Sequence, residues 1–209
     1  SECNKKQNSK RDLIRNINTI QNHGMQVMAG FIVGFDNDPP DIFDRMINFI
    51  QESGIVTAMV GLLQAPFGTK LYARMENEGR ILKEMSGDNS DGTTNIKTKM
   101  PPALLKQGYF KIMSSIYSPQ LLYPRIITLL EQFNPKKVTV NIRINELSAF
   151  FKSLFVMGFN PGEYRYYWNL IWWTIRHDIR KFPTAITMVI YGYHFRTITD
   201  RNMDILSEI

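Results

Sequence analysis

Cysteine is almost absent from this sequence, and its scarcity excludes several classes of protein. Cys3 is the single cysteine among 209 residues, so the chain cannot form an internal disulfide framework or a cysteine-only metal or iron–sulfur site from its own side chains. This composition suits a reducing compartment. Because the first residues are polar and lysine-rich, we predict no signal peptide and a cytoplasmic location.

Long hydrophobic runs are also missing. The longest apolar stretches lie around 168–175 and 185–195, whereas a membrane-spanning helix needs about 20 apolar residues. We therefore predict no transmembrane segment. The protein is expected to be soluble, or at most to lie against a membrane surface.

The motifs of several common chemistries are absent. No Gly-Lys-Ser or Gly-Lys-Thr closes a phosphate loop, and no nucleophile elbow or carboxylate pair stands out. The histidines have no partners at zinc-ligand spacing; they are His23, His177 and His194. Asp36, Asp38 and Asp41 are candidates for a cation site, but acids at 38 and 41 also suit the positive end of a helix. We predict no metal site and no catalytic residue.

Positive charge is unevenly distributed along the chain. The formal net charge is +6, and residues 1–100 carry 12 basic and 12 acidic residues, whereas residues 101–209 carry 13 and 7. Since the whole excess lies in the second half, we expect two differently built units. One hypothesis is a basic helical module that binds nucleic acid or an anionic or lipid surface.

The first half of the sequence has the pattern of a parallel α/β sheet. Apolar residues at helical spacing precede Gly24, and nearly unbroken apolar runs at 25–35 and 56–63 have the character of buried strands. Two more helices are predicted, one starting near Asp38 and ending before Gly54, the other from 69 to 78. The order helix, strand, helix, strand, helix with short connections indicates βαβ units.

Two glycines interrupt the first predicted strand. Alternation places Gly30, Ile32, Gly34 and Asp36 on one face, which becomes a shallow trough with exposed backbone. A flat ligand could lie there. Close packing of a helix over the glycines, or a bulge in the strand, explains them equally well.

The second half is predicted to be helical, with breaks at prolines; these are Pro119, Pro124, Pro135, Pro161 and Pro183. Within it, the aromatic block 164–176 contains basic residues and suggests a surface that stacks on nucleic-acid bases or docks on a lipid-like substrate. The helical spacing of Trp168, Leu170, Ile171, Trp172 and Ile175 favours a buried helix face instead.

Two of these motifs resemble a known family. The stretch 30–36, GFIVGFD, resembles the glycine-isoleucine-glycine motif on the fifth strand of the partial barrel in radical S-adenosylmethionine (radical SAM) enzymes. The run 64–72 resembles the proline-glycine-threonine turn after that barrel's sixth strand. Stretches at 4–8, 87–95 and 116–119 resemble the subgroup with a cobalamin-binding domain before the barrel and an uncharacterised helical domain after it.

The resemblance implies a site for the adenine of S-adenosylmethionine. Its predicted residues are Gly30, Ile32, Gly34, Asp36, Gln64, Ala65 and Pro66. In this interpretation the two glycines leave the backbone open beside Ile32 so that a purine ring can pack there. Backbone groups of Gln64 and Ala65 close the other side.

The resemblance also implies that this chain is the C-terminal portion of a longer enzyme. The family's three-cysteine cluster motif has no counterpart here, and Cys3 does not match it. We therefore expect an α/β fold in which residues 1–95 form the C-terminal part of a partial (β/α) TIM-like barrel, with about two parallel strands and flanking helices. Residues 96–209 are expected to form a basic all-α domain.

Cofactors and partners follow from the same resemblance. The full-length enzyme, which could be a methyltransferase, would use S-adenosylmethionine, a 4Fe-4S cluster and cobalamin, and would act on a small-molecule or lipid-like substrate. The chain alone is expected to bind none of these cofactors and to be inactive. Its partners would be the remainder of the barrel and the cobalamin domain, nucleic acid being disfavoured; a dimer paired through exposed sheet edges is an alternative.

Overall fold

Two parallel strands and a set of helices make up the part of the chain that the structure describes. The computed structural model describes residues 12–85, 87, 92–134 and 144–207. Its elements are α1 (Leu13–Asn22), β1 (Met28–Val33), α2 (Ile42–Ser53), β2 (Thr57–Leu62), α3 (Lys70–Asn77), α4 (Pro102–Ile116), α5 (Pro119–Gln132), α6 (Ile144–Met157), α7 (Tyr164–His177) and α8 (Phe182–Ser207). The architecture is therefore mixed α/β and mostly helical. Cys3 and Pro135 lie outside the described residues.

Strand β1 pairs with β2 in parallel, as the sequence predicted. The register places Gly30 opposite Met59 and Ile32 opposite Gly61, and α2 provides the crossover between the strands. Both strands are shorter than the apolar runs that predicted them. The carboxyl ends of the two strands consequently lie together, followed by the segments that begin at Gly34 and Leu63.

Helix ends follow local capping chemistry. The Asp12 carboxylate accepts a bond of 3.0 Å from the Arg15 amide at the start of α1. Helix α2 begins after Asp41, later than the predicted start near Asp38, and ends at Gly54, whose φ is +67°. The Asp38 carboxylate is used elsewhere, since it accepts bonds from the amides of the turn after β1.

The prolines of the second half interrupt fewer helices than predicted. Pro124 lies inside α5, and Pro183 is the second residue of α8. Pro183 is tolerated because the first helical N–H groups have no partner within the helix. Pro124 removes one hydrogen bond from inside α5. The helix still continues through it, because α5 is packed into the core through buried side chains such as Leu122 and Ile126. The prediction that a helix breaks at Pro124 was wrong, whereas the break between α7 and α8 just before Pro183 agrees with the prediction.

One hydrophobic core joins the inner face of the sheet to helices α2, α4, α5, α7 and α8. The Tyr117 hydroxyl lies 2.7 Å from the Ala58 carbonyl oxygen and 3.3 Å from the Ala58 amide. This contact fixes the end of α4 to the free edge of β2. Helices α2 and α4 approach closely where the Phe43 ring packs on Gly108. A Cβ added at Gly108 would lie only 2.2 Å from that ring.

Helix α7 has two apolar faces. Leu170 and Ile171 are buried, but Trp168, Trp172 and Ile175 are exposed on the other side. The prediction that all five share a buried face was wrong, because its spacing combined two neighbouring stripes. Among the described residues, no helix is both long and apolar enough to cross a membrane.

Candidate functional site

One face of the two-stranded sheet is uncovered in the described structure. Ile32 is 49% exposed and Met59 is 55% exposed. A Cβ built on Gly30 would have no atom within 4 Å. Because Gly30 lies opposite Met59 and Ile32 lies opposite Gly61, these four residues share one face of the sheet, with the backbone open at Gly30 and buried at Gly61.

This surface is one wall of a cavity of about 840 Å³. Residues of helices α4 and α8 also line it, among them Tyr109, Phe110, Met113, Phe195 and Ile198, together with the inner-face strand residues Ala58, Val60 and Leu62. Four of the predicted binding residues line the cavity: Gly30, Ile32, Gln64 and Pro66. An apolar cleft with a few polar groups at its rim is the usual form of a small-molecule site.

Gly34 has a different environment from Gly30. Its φ of +103° is a conformation that side-chain-bearing residues rarely adopt, and an added Cβ would lie 3.3 Å from Cδ2 of Leu105 on α4. The Gly34 amide donates to the Asp38 carboxylate at 2.7 Å. The turn after β1 therefore requires glycine here for its own geometry, and a binding role for Gly34 stays a prediction.

Asp36 is held by basic side chains. Its side chain is 8% exposed, and its two oxygens accept bonds of 2.6 and 2.9 Å from the Arg80 guanidinium. Arg74 and Lys99 lie farther away, at 3.7 and 4.0 Å. The Arg80 hydrogen bonds hold the pKa of Asp36 below its ordinary value, so the carboxylate is ionised and neutralised within the chain at neutral pH.

The segment after β2 is fixed by side chains from the stretch before α4. The Asn95 amide donates to the Ala65 carbonyl and accepts from the Ala65 N–H, both at 2.8 Å. Thr94 donates to the Leu63 carbonyl at 2.6 Å. Since both backbone groups of buried Ala65 are engaged, Ala65 shapes the rim, whereas the neighbouring Gln64 and Pro66 line the cavity.

The structure thus brings Gly30, Ile32, Gln64 and Pro66 to one cavity, while Asp36 is paired with Arg80. Sequence reasoning did not include Met59 or the α4 and α8 residues that line the cavity. Strand register would have identified Met59, because parallel partners share a face. Nothing local in the sequence indicates that α8 returns to β2.

Four of the aspartates and histidines that the sequence offered as metal ligands contact other groups in the structure. Asp36 and Asp38 have the partners given above, and the His23 and His177 rings each lie within hydrogen-bond distance of a carbonyl four residues earlier. Within the described ranges, no three His, Cys, Asp or Glu side chains are grouped as metal ligands would be.

The chain belongs to the family described as "Domain of unknown function (DUF4070)", which matches residues 69–206. Together with the two relatives described next, this match confirms the resemblance inferred from the motifs, and it supports the C-terminal part of a radical SAM methylase as the class of this chain.

Two curated relatives carry names that refer to methyl transfer. "Uncharacterized methyltransferase sll1242" of Synechocystis sp. (strain ATCC 27184 / PCC 6803 / Kazusa) is 26% identical over 194 residues, which cover 90% of this chain and 36% of that protein. "Hopanoid C-2 methylase" of Rhodopseudomonas palustris (strain TIE-1) is 29% identical over 113 residues, covering 54% of this chain and 20% of that protein. The chain therefore spans about a third or less of the length of these relatives. No solved structure matches.

Proposed function

We propose that this chain is part of a radical SAM methyltransferase and that the uncovered sheet face receives the adenine of S-adenosylmethionine. The observation that carries the proposal is the shared cavity of Gly30, Ile32, Gln64 and Pro66. The relatives' names support methyl transfer as the reaction class.

The shape of the face suits a planar heterocycle. The open space beside Gly30 lets a ring approach the peptide backbone, and the Ile32 side chain offers an apolar edge. Met59, opposite Gly30, adds a polarisable thioether of the kind that contacts aromatic rings favourably. The polar rim at Gln64 would orient the exocyclic groups of the base.

The other cofactors need groups from outside this chain. A three-cysteine motif for the 4Fe-4S cluster is impossible with one cysteine, and the described residues hold no group of metal ligands. In the proposal, the longer protein supplies the cluster and the cobalamin. The bound cluster and S-adenosylmethionine would generate the radical, while this chain positions the nucleoside end.

Within the part of the chain that the structure describes, β1 pairs only with β2, and its other edge supports the barrel interpretation. In the proposal, further parallel strands continue the sheet beyond β1 and enclose the uncovered face as the inside of a partial TIM-like barrel. Residues 1–95 form the end of that barrel, and residues 96–209 form the helical domain. The placement of both described strands before residue 95 and of α4–α8 after residue 101 supports this division.

A lipid-like molecule is the proposed substrate class. One relative is named a hopanoid methylase, and the α4 and α8 wall of the cavity is rich in Phe, Tyr, Met and Ile side chains. Such a wall would accommodate an apolar substrate beside the nucleoside. The site would then hold cofactor against the sheet and substrate against the helices.

Ligand-observed saturation-transfer NMR with S-adenosylhomocysteine tests the adenine site, since it detects the weak contact expected of a partial site. The adenine protons should receive saturation from the chain. Gly30→Val should abolish the transfer by filling the open corner. Gly162→Val, at an exposed glycine where an added Cβ makes only an ordinary contact of 3.5 Å, should leave it unchanged. Equal transfer in all three proteins, or none in the unsubstituted chain, would contradict the proposal.

A further inference from the structure

Helices α6 and α7 expose an unusual number of large apolar side chains. We call this surface the aromatic face; it consists of Phe151, Phe155, Phe159, Trp168, Trp172 and Ile175. Phe155 is 70% exposed and Trp172 is 60% exposed. Single exposed apolar residues are ordinary, but a contiguous group of this size marks an interaction surface.

Contacts within α6 and between α6 and α7 connect part of the aromatic face. The rings of Phe155 and Phe159 stack with centroids 5.9 Å apart. The Trp168 indole N–H donates to the Gly158 carbonyl at 3.1 Å, which places this ring beside the end of α6. Trp172 and Ile175 follow on the next turns of α7, because residues four and three apart share a helix face.

The rest of the protein does not need these side chains for its core. Helix α6 faces inward through Ser153, whose hydroxyl lies 3.0 Å from the buried Tyr167 hydroxyl. Helix α7 is buried through Leu170, Ile171 and Thr174. The described residues of both helices therefore include inward-facing side chains, and the aromatic face is a second surface of the same helices.

Exposed basic residues lie on the same two helices as the aromatic face; they are Lys152, Arg165 and Arg176. Arg180, in the turn that follows, is also exposed but is paired with Asp178. Between 148 and 181 the sequence has two acids. Glu163 is buried against Tyr123 and Arg196, and Asp178 is paired with Arg180. Apart from the paired Asp178, negative charge is thus confined to a buried side chain in this region.

We propose that the aromatic face docks on an anionic lipid bilayer. In this proposal the Trp and Phe side chains enter the headgroup region, and the Arg and Lys side chains of the same helices contact anionic headgroups. Both requirements are met on one surface. Nucleic acid fits less well, because Ile175, at one end of the face, offers no ring on which bases can stack. The inference goes beyond the methyl-transfer proposal and stands on separate residues.

Vesicle flotation provides the test. The 209-residue chain is mixed with neutral phosphatidylcholine vesicles or with vesicles that also contain 30% phosphatidylglycerol. We expect binding to the anionic vesicles and at least tenfold weaker binding to the neutral ones. Binding should weaken as salt rises from about 0.05 to 0.5 M, because salt screens the attraction to headgroups.

Two serine double variants separate the aromatic face from general hydrophobicity. Phe155→Ser with Trp172→Ser should lower vesicle affinity at least tenfold. The matched control is Phe67→Ser with Leu82→Ser, which removes two exposed apolar side chains elsewhere and should bind like the unsubstituted chain. Circular dichroism should be the same for all three, since none of the four side chains is buried.

A spectroscopic readout identifies the contact itself. In vesicles with brominated acyl chains, fluorescence from Trp168 and Trp172 should be quenched and shifted to the blue. No binding to anionic vesicles, equal binding by both double variants, or absence of quenching would overturn the proposal. A concentration-dependent dimer that the Phe155/Trp172 variant abolishes, without vesicle binding, would assign the face to a second copy and would also overturn it.

Discussion

The hydrogen-bonded ion pair between Asp36 and Arg80 leads to a prediction that distinguishes a structural role of Asp36 from a role in cofactor binding. Asp36 is a predicted cofactor-binding residue, and its carboxylate accepts two bonds, of 2.6 and 2.9 Å, from the Arg80 guanidinium. If the pair is structural, Asp36→Asn should lower the free energy of unfolding. Binding of S-adenosylhomocysteine should change only in proportion to the folded fraction.

The magnitude follows from burial. Breaking one partner of a fully buried pair costs about 3–5 kcal/mol, and an exposed pair is worth about 0–1 kcal/mol. Asp36 is nearly buried and Arg80 is 12% exposed, so we expect a loss of about 2–3 kcal/mol, below the fully buried range. For a chain of this size, that corresponds to a fall of roughly 5–10 °C in Tm.

The assay is urea unfolding followed by circular dichroism, with Asp44→Asn as the matched control. Asp44 and Lys111 form an ion pair whose side chains are both exposed, so the control should lose no more than about 1 kcal/mol. The comparison thus sets the loss of unfolding free energy from an Asp-to-Asn change in a nearly buried ion pair against the loss from the same change in an exposed ion pair.

The pH dependence supplies an independent check. Because the folded-state pKa of Asp36 is lowered by Arg80, the stabilisation is present above the ordinary aspartate value near 3.8 and is lost as pH falls through the lower, folded-state pKa. The difference between Asp36→Asn and the unsubstituted chain should therefore be full at pH 7 and pH 5 and shrink below pH 3.8. A loss equal to that of the control, or one that persists undiminished at low pH, would refute the reasoning.

Three further predictions concern packing and buried polar groups, each measured as a change in unfolding free energy. Gly108→Ala should destabilise by about 1–2 kcal/mol despite alanine's higher helix propensity, because the new Cβ would overlap the Phe43 ring; a stabilised variant would contradict this. Asn95→Ala should cost about 2–3 kcal/mol, since both polar groups of buried Ala65 lose their partner, and an unchanged midpoint would be the opposing result. Arg125→Met should stabilise by about 1–3 kcal/mol, because burial lowers the Arg125 pKa to about 10 and leaves two guanidinium nitrogens without partners; a destabilised variant would show that this buried cation has a favourable role.

The local pattern predicted the strands well and the helix boundaries less well. Both strands and their parallel pairing were predicted from apolar runs that follow Gly24 and Gly54 and end before prolines. The spacing of apolar residues distinguishes strands from helices, and glycine and proline mark where each element ends. The start of α2 was misplaced since an aspartate before prolines suits both a helix start and a turn. Asp38 caps the turn amides of Gly34 and Phe35 instead.

Long-range contacts account for the remaining differences. The pairing of Asp36 with Arg80 joins residues 44 positions apart, and no local signal selects Arg80 over a ligand. Helix α8 contributes Phe195 to the candidate site, which depends on how five helices pack. Residue spacing alone could not separate the buried and the exposed apolar stripes of α7, because Trp168 and Ile171 are only one helical turn apart. Which of the two is buried depends on how α7 packs against the other helices.

The central claim, that the face around Gly30 and Ile32 receives adenine, is tested most directly by intermolecular NOEs. A methyl-labelled chain is mixed with S-adenosylhomocysteine, and contacts from the adenine H2 and H8 protons are recorded. We predict NOEs to the Ile32 δ-methyl and the Met59 methyl. NOEs confined to other methyl groups, or none to these two while the ligand is bound, would contradict the account.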